Sequence, residues 1–287
     1  MYCLTDAATI KKIMSKHGFS FSKALGQNFI TNPEICPMMA EMCGVDENSG
    51  VLEIGAGIGV LTQELGKRAK KVTALELDAR LIPILEDTLS DFENIEVINA
   101  DVMKIDLEKL LKDCFSDCEN ICVCANLPYY ITSPIIMLLL EGRFPFKSVT
   151  VMVQKEAGER LCAPVGTRNA GAVSVAVRYY AEAEELFGVP KECFMPSPKV
   201  DSEVIRLNIR EKPEFDMTDE KFFFAMVKAA FAQRRKTALN GISAGLGMSK
   251  DKVLSAIKNA NLPENIRAEK LNMEELYNLS EELYKLK

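Results

Sequence analysis

Between residues 50 and 156 the chain alternates short apolar runs with longer stretches in which apolar side chains recur at helical spacing. Runs at 51–54, 72–75, 95–98, 121–124 and 148–153 have strand length, and the intervening stretches at 59–69, 79–89 and 107–111 read as helices. Strands that alternate with helices predict an α/β fold: a parallel, Rossmann-like sheet with helices on both faces. Further on, 173–180 reads as a helix and 185–188 as a short strand. Residues 204–209 alternate apolar and polar side chains, as a final edge strand does. Lys212-Pro213-Glu214 reads as a linker. Beyond it 219–242, 250–260 and 273–287 read as helices, the middle one capped by Ser249. The expected organisation is a sheet domain over 1–211, with 1–49 as an N-terminal extension, and a small all-helical domain over 212–287.

Polar residues close four successive strands: Glu53, Glu76, Asp101 and Asn126, separated by 23, 25 and 25 residues. Each interval is about one strand-plus-helix unit, so in a parallel sheet all four reach the same carboxyl edge. Open α/β sheets bind their ligands there. A single acidic strand end means little, but four in register predict a binding crevice.

Composition narrows the class of protein only a little. With 48% hydrophobic and 26% charged residues the chain is ordinary globular material. No N-terminal signal pattern and no apolar run of membrane-spanning length is present, so the expected location is the cytoplasm, away from membranes. The net charge of −6 argues against nucleic-acid binding over the whole surface, yet the basic residues are uneven. Lys11, Lys12, Lys16 and Lys23 crowd the N-terminal segment, and Lys228, Arg234, Arg235 and Lys236 form a second cluster. Either cluster alone is as readily a solvated helix face. Cys114, Cys118, Cys122 and Cys124 lack the usual zinc spacings, and His17 is the single histidine, so no metal is expected.

Glu53-Ile54-Gly55-Ala56-Gly57-Ile58-Gly59 follows a strand and opens a helix, the setting of a turn that lets a ligand approach the backbone. Dinucleotide-binding oxidoreductases use a similar turn, but their fingerprint needs glycine at position 60, where Val60 stands. An acidic residue leading the turn suits a ligand with an amino-acid moiety and repels a pyrophosphate. Glu76 is placed to accept hydrogen bonds from both ribose hydroxyls of an adenosine. Asp101, one unit later, is placed to accept from its adenine amino group. Both remain open to the plainer reading of surface carboxylates at strand ends.

Asn126-Leu127-Pro128-Tyr129 begins where the fourth strand ends, and Pro128 stops the ladder. An exocyclic adenine amine is a poor nucleophile because its lone pair is delocalised into the ring. Hydrogen bonds accepted from its two N–H groups by the Asn126 side-chain oxygen and a main-chain carbonyl, for which Leu127 is the candidate, favour a pyramidal nitrogen. Tyr129 offers an aromatic face for an extruded base. Taken alone, Asn126 is still better read as a turn-former.

These residues, with Ile131-Thr132-Ser133-Pro134, resemble the ribosomal RNA adenine dimethyltransferases, and within them the kasugamycin-resistance group acting on small-subunit RNA. The likeness covers nearly the whole chain. Leu25-Gly26-Gln27-Asn28-Phe29-Ile30 is similar to the family's N-terminal motif, 51–62 to its donor loop, and 166–168 through 174–175 and 194–202 to two further blocks. Phe231-Ala232-Gln233-Arg234-Arg235-Lys236 is similar to the motif that begins its helical domain. Position 30 is more often leucine in the family; Ile30 changes shape and not polarity.

The resemblance implies S-adenosylmethionine as methyl donor, in a pocket lined by Asn28, Ile30, Gly55, Gly57, Glu76, Asp101 and Asn126. It implies that residues 1–49 close over donor and RNA, and that Phe194, which from sequence alone is a core residue, lies against the target adenine opposite Tyr129. Lys23, Arg234, Arg235 and Lys236 are the residues expected to meet RNA. The implied substrate is two adjacent adenines in a hairpin near the 3′ end of small-subunit RNA, in a partly assembled subunit, and the implied enzyme is a monomer. Two other readings stay open. One is the macrolide-resistance methyltransferases of large-subunit RNA, in which isoleucine more often stands where Leu127 does. The other is a non-catalytic assembly or transcription factor that keeps the fold; intact Glu76, Asp101 and Asn126 speak for catalysis.

Overall fold

The computed structural model describes residues 2–22, 26–233 and 235–287. Contacts divide the chain into two compact units: Met1–Gly158 with Glu184–Ile209, and Glu159–Ala183 with Arg210–Lys287. The second unit thus takes in a segment ahead of the linker as well as the C-terminal helices.

In the first unit α1 (Ala7–Lys16), β1 (Phe29–Ile30) and α2 (Ile35–Met42) precede the alternating region. There follow β2 (Ser49–Ile54), α3 (Val60–Gly66), β3 (Lys71–Glu76), α4 (Ile82–Thr88), β4 (Ile95–Asn99) and α5 (Leu107–Phe115). Next come β5 (Asn120–Asn126), α6 (Thr132–Glu141), β6 (Phe146–Gln154) and α7 (Lys155–Cys162), the last running into the second unit. Local chemistry sets several starts: the Asp6 and Asp106 carboxylates accept from the Thr9 and Lys109 amides, capping α1 and α5.

Among the described residues seven strands form one sheet in the order β4-β3-β2-β5-β6-β9-β7, where α8 (Ala172–Tyr180) precedes β7 (Ala181–Val189) and β9 is Ser202–Ile209. Strands β2 to β6 pair in parallel, so their carboxyl ends share one edge. Val51, Leu52, Val123, Val149 and Val151 are fully buried, as strands covered on both faces require. One correction concerns the last strand. Residues 204–209 are not an edge: β9 runs antiparallel to β6 and sits between it and β7, which is the edge. The alternation at 204–209 reflects one polar and one apolar face, a pattern that an inner strand also satisfies. A separate two-stranded pairing joins β1 to β8 (Phe194–Met195), with Ile30 opposite Phe194.

In the second unit α8 and α9 (Glu220–Phe231) share an aromatic cluster in which the Tyr180 and Phe224 rings stack at 5.5 Å. The helix expected over 219–242 is instead two, α9 and α10 (Ala238–Leu246), followed by α11 (Lys250–Asn259) and α12 (Met273–Lys285). Thr237 caps a fresh start by accepting from Asn240, and Gly245 lets α10 lie on α9, since a Cβ there would meet the Ala229 Cβ at 2.4 Å. No proline marks the break, so periodicity alone reads through it. Ser249 caps α11 as expected, and Asn272 with Glu275 forms a capping box on α12.

Candidate active site

The carboxyl edge of the sheet opens into a cavity lined by the ends of β2, β3 and β5, the residues after β4, and the segment Gly26–Ile30. At the end of β2 the chain turns sharply. Gly57 (φ 61°) and Gly59 (φ 92°) adopt left-handed backbone that only glycine takes without strain. A Cβ on Gly57 would lie 3.5 Å from the Phe29 ring, so the turn and the N-terminal segment meet closely. The turn is tied to β3: the Gly55 amide donates to Leu75 O at 2.8 Å and the Gly57 amide to Glu76 Oε2 at 2.9 Å.

Glu76, only 6% exposed, also accepts from the Asp78 amide through Oε1 at 2.8 Å. Burial raises its pKa, and the two amide bonds oppose that rise by stabilising the charged form. Asp78 in turn holds Arg80 and accepts from Gln27 Nε2 at 2.8 Å; these bonds, Arg80 first, press its pKa to about 2. Gln27 Oε1 accepts from the Ser22 amide at 2.8 Å, so the N-terminal segment is fastened to the end of β3. Asn28 lines the cavity and bonds to Gly26 O at 3.0 Å.

Glu53, next to last in β2, also lines the cavity where the turn begins. It is 1% exposed, and its Oε2 finds no hydrogen-bond partner; neither does the nearby Thr62 hydroxyl. Burial pushes the carboxyl up to about 8; the nearby Thr62 hydroxyl opposes that rise, and the charge of Glu76 adds a smaller one. Its acidic character, read from the sequence as a charge leading the turn, is therefore largely masked in this structure. Asp101 stands two residues past the end of β4, where Asn99 closes the strand and donates to Glu76 O at 2.7 Å. The Asp101 carboxylate accepts from the Met103 amide at 3.0 Å and sits 3.4 Å from Lys104 Nζ.

Asn126 ends β5 beside Met152 of β6. A Cβ on Gly55 would stand 3.8 Å from the Asn126 carbonyl oxygen, which fixes how closely the glycine turn and this strand end approach. Among the described residues no side chain or backbone group bonds to the Asn126 side-chain amide. Leu127 is 1% exposed and its amide donates to Met152 O at 3.1 Å, so it serves the cavity through its backbone. Pro128 leads into a single 3₁₀ turn, Tyr129–Ile131, closed by the Ile131 amide on Pro128 O at 3.1 Å. The Tyr129 hydroxyl pairs with Ser202 Oγ at 2.6 Å. Burial raises the Tyr129 pKa, so the phenol stays protonated near neutral pH.

One cavity therefore gathers Asn28, Ile30, Gly55, Gly57, Glu76, Asp101, Asn126, Leu127, Pro128 and Tyr129. Phe194 is the exception. At 4% exposure it packs among Ile30, Met39 and Val204 in the apolar core and is absent from the cavity wall. Lys23 and Arg234 lie outside the described residues; Arg235 and Lys236 are exposed on the second unit. The sequence reading passed over Gln27, Asp78 and Tyr130. Gln27 stood within a recognised block, and Asp78 carried the signal of a polar cap two residues after Glu76. Among the described residues no three histidine, cysteine or acidic side chains are placed to hold a metal. No helix there is long and apolar enough to cross a membrane.

Chemically, the cavity offers buried hydrogen-bond acceptors at one end, an uncommitted amide and an aromatic ring at the other, and apolar walls between. Carboxylates at Glu76 and Asp101 disfavour a polyphosphate and favour neutral or cationic groups.

Residues 18–285 match the model of the ribosomal RNA adenine dimethylase family. The chain is 48% identical over 276 residues to ribosomal RNA small subunit methyltransferase A of Bacillus licheniformis, covering 95% of this chain and 94% of that protein. It is 46% identical over 286 residues to the protein of the same name from Bacillus mycoides, covering 98% of each. Among solved structures it resembles a dimethyladenosine transferase from Plasmodium falciparum, with TM-score 0.70, 26% identity, and 89% and 97% of the two chains covered. It also resembles the 23S ribosomal RNA methyltransferase ErmE, with TM-score 0.65, 27% identity, and 89% and 99% covered.

Proposed function

The chain belongs to the ribosomal RNA adenine dimethylase family, and from that premise we propose that it dimethylates N6 of two adjacent adenines in a hairpin near the 3′ end of small-subunit RNA. The small-subunit choice follows the stronger likeness: 48% identity to a small-subunit methyltransferase against 27% to a large-subunit one. In this reading the enzyme acts as a monomer in the cytoplasm on partly assembled subunits, with residues 1–49 closing over donor and RNA. The helical part over 212–287, through Arg235 and Lys236 together with Arg234 and with Lys23 of the N-terminal segment, contacts the RNA.

The observation that carries the reading is the uncommitted Asn126 amide at the end of β5, next to the glycine turn that leads from β2. S-adenosylmethionine fits the residues present: a turn whose Gly55, Gly57 and Gly59 lack Cβ atoms and so allow close approach, the buried Glu76 carboxylate for ribose hydroxyls, and Asp101 for an adenine amine. When bound, this donor supplies a methyl group already activated on a sulfonium, so no general base is needed before attack. The chain's own task is positioning. Asn126 Oδ1 and the Leu127 carbonyl accept the two N–H groups of the target amine and turn its lone pair toward the methyl carbon. Tyr129, held by Ser202, presents its ring to the extruded base. The proton released after transfer leaves to solvent.

Labelled methyl transfer to unmethylated small and large subunits, followed by mapping of the modified bases, tests the proposal. Label on two adjacent adenines of small-subunit RNA is expected. Label confined to large-subunit RNA overturns the substrate, and a subunit-binding protein with no transfer overturns catalysis.

A further inference from the structure

Tyr130 is the most exposed of the large apolar or aromatic side chains that stand out on the surface, at 60%, yet it lines the mouth of the active-site cavity. It follows Tyr129 in the same 3₁₀ turn, where successive residues point about 120° apart. The two rings therefore part company: Tyr129 turns inward to Ser202, and Tyr130 turns outward. Gly26 supports one side of the outer ring, since a Cβ there would meet Tyr130 Cδ1 at 3.7 Å. Among the described residues the ring has no aromatic or cationic neighbour, and its hydroxyl makes no hydrogen bond.

Extruding a base from an RNA strand leaves its neighbour with one face unstacked, and that loss opposes binding. An aromatic ring at the mouth of the pocket, one residue from the ring that faces the extruded base, replaces the lost partner. Stacking of this kind tolerates any base, because every base has a π face. We propose that Tyr130 is the platform on which the nucleobase adjacent to the target adenine stacks. Since the two targets are adjacent in the functional reading on which this rests, one adenine would occupy the platform while the other is methylated. Tyr130 is thus a positioning residue for substrate and has no part in donor binding.

The test compares wild type with Tyr130→Ala, Tyr130→Phe and Tyr130→Trp on unmethylated small subunits. Alanine is expected to raise KM for subunits about tenfold, the loss of one base stack, with kcat changed less and donor affinity unaltered. Phenylalanine and tryptophan should stay within about twofold of wild type, which a hydrogen-bonding role for the hydroxyl would not allow. Subunits in which one target adenine is replaced by uracil, a weaker stacking partner, supply the second arm. Transfer to the remaining adenine should weaken several-fold with wild type and no further with Tyr130→Ala. Equal losses in both proteins, or failure of phenylalanine to rescue, overturns the proposal. If wild type transfers no methyl to small subunits, the functional reading falls instead.

Discussion

Glu53 makes the pH dependence of stability open to direct test. Its carboxyl moves from the ordinary 4.5 of a glutamate to about 8 on folding, because burial removes the water that would solvate its charge. Below pH 4.5 the acid is neutral in both folded and unfolded chains, and no penalty arises. Between 4.5 and 8 the unfolded chain ionises while the folded one keeps its proton, so stability falls as pH rises and levels off above 8. At 1.36 kcal/mol per pH unit the loss approaches about 5 kcal/mol over the whole window, and about 4 kcal/mol between pH 5 and 8. Glu53→Gln removes the titration and carries a fixed cost of about 1–3 kcal/mol for a buried amide without partners. The variant should therefore be less stable than wild type at pH 5 and more stable at pH 8. Thermal midpoints of the donor-free proteins at several pH values read this as a crossing, the gap moving by on the order of 10 °C. The carbonyl stretch of a protonated acid at pH 7, present in wild type and lost in the variant, gives an independent infrared reading. Parallel midpoint curves, with the gap constant from pH 5 to 8, would refute a buried neutral Glu53.

Other variants separate the parts of the site. Glu76→Ala should weaken S-adenosylmethionine binding tenfold or more by calorimetry, because it removes the acceptor and frees the Gly57 and Asp78 amides; unchanged affinity would exclude Glu76 from the donor site. Asn126→Ala should reduce methyl transfer on the order of a hundredfold with donor affinity kept, and full transfer by this variant would falsify the role given to its amide. Tyr129→Phe breaks the bond to Ser202 and should cost about 1 kcal/mol of stability, seen as a lower midpoint, while the ring's stacking survives. Charge reversal at Arg235 and Lys236 should weaken subunit binding and flatten its salt dependence by about one unit of slope per lost phosphate contact; an unchanged slope removes them from the RNA face.

The parallel part of the sheet was legible because β2 to β6 are short apolar runs, each followed by a helix at a regular interval, whereas β7 carries three glutamates and reads only in part as a strand. That regularity also brings Glu53, Glu76 and Asn126 to one edge of the sheet. What escaped was set by contacts between distant segments. The break between α9 and α10 depends on a threonine cap and on glycines against Ala229, neither of which interrupts the apolar pattern. The inner place of β9 depends on its pairing with β6 on one side and β7 on the other, and alternation within one strand is blind to the number of its neighbours. Likewise the charge state of Glu53 follows from complete burial, whereas its position at a strand end only marked it as acidic.

Phe194 shows why a recognised block does not by itself assign a role to each residue in it. The block is similar to a family motif, yet the ring sits in the core with Met39 and Val204 rather than on the cavity wall. Its contribution is one step removed. Phe194 pairs with Ile30 and Met195 with Phe29, which anchors β1 antiparallel to β8. That anchoring holds Asn28 and Ile30 against the cavity and brings Phe29 up to Gly57 at the glycine turn. A position that must be apolar and extended to keep this two-residue pairing is as constrained as one that touches a ligand, and a sequence cannot tell the two constraints apart. The distinction is experimental: Phe194→Leu, which keeps bulk and burial, should retain most methyl transfer if the ring only anchors β1. If the ring stacks on the target base, the same change should raise KM for subunits about tenfold.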